Sequence, residues 1–192
     1  LDSVPLISIT NMTAVGNSAL PILQDPEIRY NGQVVALVLA ETPQQADFAA
    51  SLIDITYDEA PARTRFDAAK PQARTPASIL VERNEEAVGD AEAAPRQAAF
   101  HVDAIYTTPG HNHAAIEPHA VTAAWTGDRL VLHDATQAIA PTAAALAKLF
   151  DIRREDVRVL SPFVGGGFGA KGFWDHHVLA VAAARLVRRP VR

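Results

Sequence analysis

Twelve residues near the C-terminal end, Ser161-Pro162-Phe163-Val164-Gly165-Gly166-Gly167-Phe168-Gly169-Ala170-Lys171-Gly172, restrict the fold more than any other stretch. Five of them are glycines, half of the chain's ten. Val157 to Leu160 alternates as a strand before them, and Trp174 to Val187 carries an apolar pattern of helical period after them. Strand, glycine loop, helix is the implied order. Without a Cβ, glycine can take positive φ and let a ligand come against bare amide groups. The amides that open the following helix are unpaired and partially positive, which suits an anionic or oxo-type group. Two readings stand here: a cofactor loop, or a tight strand-to-helix connection with no ligand.

The familiar phosphate loops fit it poorly. Gly165 to Ala170 satisfies the weak G-x-G-x-x-A pattern, but Phe168 sets a bulky ring where a pyrophosphate must approach. A Walker reading fails because Ala170 precedes Lys171 where glycine is required, and Gly172 follows where a hydroxyl must bind magnesium.

Composition narrows the function classes. The 192 residues are 48% hydrophobic with mean hydropathy near zero, as expected of a soluble globular chain of one ordinary domain or two small ones. A net charge of -5 gives no basic footprint, which argues against nucleic acid or an anionic membrane as partner. No apolar run approaches the roughly 20 residues of a membrane span. The absence of cysteine excludes disulfides, Cys-ligated zinc and iron–sulfur clusters held by this chain, and leaves cytoplasm and periplasm both open. No secretory signal is visible at Leu1 to Thr10. Both ends look cut, the chain opening at Leu1 and stopping at Arg192 where a new strand starts to form.

Taken in order, Leu6 to Thr10 reads as a short strand. Gln33 to Ala40 is a nearly continuous apolar run, as for a strand covered on both faces. Thr42 offers an N-cap hydroxyl, Pro43 sits at the first helical position, and Ala46, Ala49, Ala50 and Ile53 recur at helical spacing before a second alternating run, Asp54 to Tyr57. Strand, helix, strand makes a small α/β unit. From Pro61 to Pro95 the pattern dissolves into Ala, Pro, Arg and Glu, a linker without regular structure whose Arg83-Asn84-Glu85-Glu86 patch reads as solvated surface. A strand is expected over Ala99 to Thr107.

Gly110-His111-Asn112-His113-Ala114-Ala115-Ile116-Glu117-Pro118-His119 follows. His111 and His113 would share a face of a strand, and with Glu117 they offer donors that a divalent metal accepts. Their spacing matches the first metal motif of cupin barrels, although the glycine expected after the glutamate and a second motif are missing. The other reading is that these side chains hydrogen-bond a buried turn and orient a neighbouring loop. Val121 to Trp125 and Leu130 to Ala135 flank Gly127-Asp128 as a hairpin. Gln137 stands at the end of the second arm, and Pro141 to Phe150 reads as an Ala-rich helix. On the last helix His176 and His177 point about 100° apart, which speaks against a paired-ligand role, so one is expected to pack inward and the other to be solvated.

Tyr106-Thr107-Thr108-Pro109, Glu117-Pro118-His119, Asp134-Ala135-Thr136-Gln137 and Phe163 to Lys171, in that order and spacing, resemble the molybdenum-binding subunit of the xanthine dehydrogenase and aldehyde oxidase family, especially the bacterial three-subunit aldehyde oxidoreductases. Ile28 to Ala36 with the helix and Asp54 to Tyr57 resembles the α/β hammerhead domain that precedes it there. The resemblance implies an α+β chain: the latter part of a hammerhead domain at residues 1–60, a linker at 61–95, and the first section of a molybdopterin-binding domain at 96–192. It implies that Gln137 hydrogen-bonds an oxo ligand or the pterin, and that Gly166, Gly167, Phe168 and Gly169 lie against the molybdenum cofactor. That cofactor is molybdopterin, with the cytosine dinucleotide as one possible form. The implied reaction hydroxylates an aldehyde or heteroaromatic carbon with oxygen from water, and electrons leave through iron–sulfur and FAD partner subunits. Purine-oxidising members carry a glutamate after the loop lysine; Gly172 stands here, which favours a small aldehyde over xanthine. Ala170 replaces the usual glycine, a change the loop absorbs if φ there is negative. The family's catalytic glutamate is expected beyond Arg192, so the resemblance implies a piece of a longer subunit that is inactive alone. A cupin-like metal protein and a noncatalytic subunit-docking module remain as alternatives.

Overall fold

The computed structural model describes residues 22–23, 26–75, 78–79, 82–83, 88–90 and 92–192, so the strand expected at Leu6 to Thr10 lies outside the described residues. The elements in chain order are α1 (Pro43–Ser51), α2 (Phe66–Ala69), β1 (Ser78–Ile79), β2 (Glu82–Arg83), α3 (Ala94–Gln97), β3 (Val121–Thr126), β4 (Arg129–Asp134), α4 (Ile139–Leu149), β5 (Val157–Leu160) and α5 (Asp175–Val187). The chain is α+β and divides into two compact units, one of residues 1–55 with 113–192 and one of residues 56–112. None of the described helices is long and apolar enough to cross a membrane.

The first unit is built on a mixed sheet of order β3-β4-β5. β3 and β4 form the expected hairpin around the two-residue turn Gly127-Asp128, where Gly127 takes a φ of +58° that an L side chain resists. β5 runs parallel to β4, and α4 makes the crossover between them. Alternation along β4 turns Leu130, Leu132 and Asp134 to the interior and leaves Arg129 and His133 exposed. Against this face lie Leu146 and Phe150 from the α4 region and Val178, Val181 and Ala184 from α5. Leu130, Leu132, Leu146 and Val181 are fully buried. Small residues on α4, Ala143, Ala145 and Ala147, share that core. The indole N–H of Trp125 donates to the Val181 carbonyl at 3.0 Å, and Arg185 stacks over the same ring at 4.9 Å. The strand expected to begin at Arg192 is present as a single antiparallel bridge, Ala123 with Val191.

In the same unit α1 begins where its cap signals place it, with the Thr42 hydroxyl accepting from Gln45 N at 3.2 Å and Pro43 in the first turn. The expected strands beside it are a correction. Gln33 to Ala40 is extended but has no ladder partner among the described residues, and Val35, Leu37 and Leu39 are exposed. Asp54 to Tyr57 is likewise unpaired. An apolar run encodes a demand for burial; it does not encode the neighbouring chain that must supply the hydrogen bonds. Ala46 and Ala50 do face the extended chain, lining an open groove with Val35, Val38, Ile53 and Ile55.

The second unit corrects two further expectations. The segment read as structureless holds α2, the short β1–β2 hairpin and α3, and in the turn before α3 the Asp90 carboxylate accepts from Glu92 N and Ala93 N. Conversely, Ala99 to Thr107 forms no strand with any of the described residues, and Phe100, Val102, Ile105 and Tyr106 are all highly exposed. Their alternation is that of a strand, yet nothing among the described residues pairs with it or covers it.

Candidate cofactor site

The site starts from the parallel pairing of β4 and β5, which sets His133 opposite Leu160 and so delivers both chains to the same edge of the sheet. Just past those ends, Thr136 N donates to the Ser161 hydroxyl at 3.2 Å, and that hydroxyl donates back to the Thr136 carbonyl at 3.1 Å. The buried Thr136 hydroxyl donates to the Lys171 carbonyl at 3.1 Å and accepts from Ala138 N at 3.0 Å. Gln137 N donates to the same Lys171 carbonyl at 2.7 Å. Residues 135–137 are therefore stitched to both ends of the glycine loop.

Within the loop, Gly165, Gly166 and Gly169 have φ of +61°, +90° and +92°, and Phe168 takes +51°, a left-handed conformation that a bulky residue occupies only when its surroundings impose it. Ala170 lies outside that region, so its Cβ carries no left-handed backbone penalty. Gly169 N donates to Gln137 Oε1 at 3.2 Å, and a Cβ on Gly167 would come within 2.2 Å of Gln137 Cδ. Gln137 thus packs on bare backbone. Among the described residues, the amides of Gly166, Gly167 and Phe168 donate to no protein acceptor, and the Gln137 amide N–H groups are likewise uncommitted. The Phe168 ring is exposed beside them. The structure brings together all five residues the sequence singles out: Gln137, Gly166, Gly167, Phe168 and Gly169.

Glu117, one member of the alternative metal set, is engaged elsewhere. Glu117 Oε2 accepts from the buried Lys171 ammonium at 2.9 Å, and Glu117 N donates to the Gly165 carbonyl at 3.2 Å. The Glu117 side chain lies so close over Gly165 that a Cβ there would sit 2.2 Å from its own. His111, His113 and Glu117 are not among the metal-type donors that converge in the described residues. The turn-and-loop role weighed for Glu117 is the one its contacts show.

Sequence reasoning undervalued Lys171. Its ammonium is buried and donates to both Glu117 and the Val164 carbonyl, tying the far end of the loop to its start. A lysine two residues after Gly169, with a glutamate on the preceding segment, is a weak signal because their separation of 54 residues hides the pairing.

Behind the loop the buried Asp134 carboxylate meets His177 Nε2 at 2.7 Å, and His177 Nδ1 lies 3.1 Å from both N and O of Trp174 at the N-terminus of α5. His177 is the inward-packing member of the pair and His176 is part-buried, not fully solvated. The His176 ring stands 4.0 Å from that of His177 and 5.5 Å from that of His119, whose Nε2 donates to the Ala170 carbonyl at 3.0 Å. Burial, together with His177 and His119 and against the pull of Asp134, holds His176 down at about 4 from 6.5.

Two outcomes follow from this geometry. Gly167→Ala forces Gln137 aside and destabilises the chain by about 1–3 kcal/mol, as overpacking does. Removing the obstruction with Gln137→Ala restores most of that loss, so denaturant midpoints of the two single variants and the double variant give a large favourable coupling; additive effects would contradict the contact. For His176 the folded pKa lies below the unfolded value, so its contribution is complete above pH 6.5 and is lost as pH falls towards about 4. In metal-free protein, stability measured across that window falls less steeply in His176→Gln than in the parent.

Comparison with known proteins agrees with this arrangement. The Molybdopterin cofactor-binding domain family matches residues 73–192, and the Aldehyde oxidase and xanthine dehydrogenase a/b hammerhead domain family matches residues 2–61. The chain is 38% identical over 191 residues to the aldehyde oxidoreductase molybdenum-binding subunit PaoC of Escherichia coli K12, covering 97% of this chain and 26% of that protein. It is 31% identical over 149 residues to the putative xanthine dehydrogenase molybdenum-binding subunit XdhA of the same strain, covering 75% of this chain and 20% of that one. The structure matches quinoline 2-oxidoreductase from Pseudomonas putida 86 with a TM-score of 0.64 at 27% identity, over 80% of this chain and 20% of that chain. The chain spans about a quarter or less of the length of these relatives. By two domain families in series and identity along nearly its whole length, the chain belongs to the aldehyde oxidase and xanthine dehydrogenase family of molybdenum-binding proteins.

Proposed function

We propose that the protein is part of the molybdenum-binding subunit of a molybdenum hydroxylase that oxidises a small aldehyde. In this reading residues 1–60 are hammerhead, 61–95 link, and 96–192 begin the cofactor-binding domain. The aldehyde and water give a carboxylic acid, two protons and two electrons, and the electrons pass to iron–sulfur and FAD subunits. The observation that carries the reading is the bare backbone of Gly166 to Gly169 with Gln137 held against it.

The residues fit an oxygen-rich group. With its side-chain oxygen taken by Gly169 N, Gln137 has two N–H donors left for an oxo ligand or the pterin. The uncommitted amides of Gly166, Gly167 and Phe168 add donors on the same side of the loop, and such preset donors stabilise charge that develops during reaction. Phe168 supplies an apolar ring edge that excludes water beside them. When bound, the molybdenum cofactor, as molybdopterin or its cytosine dinucleotide, supplies the two-electron redox change. The general base is a glutamate from outside these residues. Gly172 leaves open the position where purine-oxidising members place a carboxylate, which favours aldehydes over xanthine.

The test uses the full-length protein with its partner subunits. Elemental analysis finds molybdenum, the complex oxidises aldehydes in preference to xanthine, and Gln137→Ala lowers kcat/KM about 100- to 1,000-fold, the scale of losing one preset donor. A preparation without molybdenum, or Gln137→Ala with parental activity, contradicts the reading.

A further inference from the structure

We infer that Asp134, His176 and His177 form a metal site for a divalent ion of the zinc or cobalt class. One donor atom from each of the three lies within 4.8 Å of the others. Asp134 and His177 are almost fully buried and come from different elements, the end of β4 and the first turn of α5, so sheet and helix packing preset their separation.

The second observation concerns the His177 ring. Its Nδ1 lies 3.1 Å from Trp174 N, which donates, and equally 3.1 Å from Trp174 O, which accepts. Two tautomers therefore fit the same position. With the proton on Nε2, His177 donates to Asp134 at 2.7 Å and its Nδ1 accepts from Trp174 N. With the proton on Nδ1, that N–H donates to the Trp174 carbonyl, and the Nε2 lone pair then faces a carboxylate oxygen with no proton between them. That second arrangement is favourable only with a cation shared by the two groups. It is also the arrangement in which metal-bound histidines are held, the distal N–H on a backbone carbonyl.

His176 completes the donor set. Its imidazole has no hydrogen-bond partner among the described residues, yet its ring is held 4.0 Å from that of His177. Two imidazoles and one carboxylate are a borderline donor set, suited to Zn²⁺ or Co²⁺ and poor for Mg²⁺ or Ca²⁺, and three protein ligands leave a coordination position for water. No electron changes hands; the His177 proton moves from Nε2 to Nδ1 as the ion enters. An ion here fixes His176 against His119, and His119 holds the Ala170 carbonyl, so occupancy stiffens the loop from behind.

The full chain, stripped with EDTA, is titrated with Co²⁺ and watched for visible d–d absorption, then challenged with Zn²⁺. The expected result is one Co²⁺ per chain, displaced by Zn²⁺. Asp134→Asn keeps an acceptor for the Nε2–H tautomer and so preserves the fold, but weakens Co²⁺ binding by roughly tenfold or more, as does His176→Ala. His101→Ala leaves binding unchanged. Absence of the absorption, or binding that survives both Asp134→Asn and His176→Ala with parental circular dichroism, overturns the proposal.

Discussion

The loop's shape depends on one buried cation. Removing an ammonium from water costs several kcal/mol, so a lysine is found inside only where its donors are used. Lys171 uses them on the Val164 carbonyl, one residue before the first loop glycine, and on the Glu117 carboxylate. Its own carbonyl meanwhile takes Thr136 and Gln137. A single residue thus closes the loop on itself and fastens it to the end of β4. Once those bonds are set, Gly165 must lack a side chain because Glu117 occupies the space, and Gly167 must lack one because Gln137 does. The glycines are consequences of what surrounds them as much as of what they face.

The second fastening is Asp134 to His177. Strand alternation turns Asp134 into the core, where an unpaired carboxylate would be costly, and α5 brings His177 to meet it. The helix that follows the loop is thereby pinned to the strand that precedes Gln137. Loop, Gln137 and α5 are therefore all fastened to the end of β4.

Much of this was readable in the chain. The hairpin, α1 with its Thr42 cap, β5 and α5 were legible because turn chemistry and local period state them directly. So was the pairing of Gln137 with the glycine run, through several motifs in series. Gln33 to Ala40 and Ala99 to Thr107 have no strand partner among the described residues; their apolar pattern records a need for cover and says nothing about who provides it. Lys171 with Glu117, and Asp134 with His177, were missed for a different reason: their partners are 54 and 43 residues away. An ideal helix wheel leaves one of His176 and His177 in solvent because it ignores His119, which arrives from another segment beside His176.

The central claim is that Gln137 and the Gly166–Gly169 backbone form one wall of the molybdenum cofactor. A crystal structure of the full-length protein with its cofactor tests it most directly. The account predicts Gln137 Nε2 within about 3.2 Å of an oxygen of the cofactor, with Gly169 N still donating to Gln137 Oε1. A cofactor seated away from Gln137, with the glycine loop facing solvent, would contradict it.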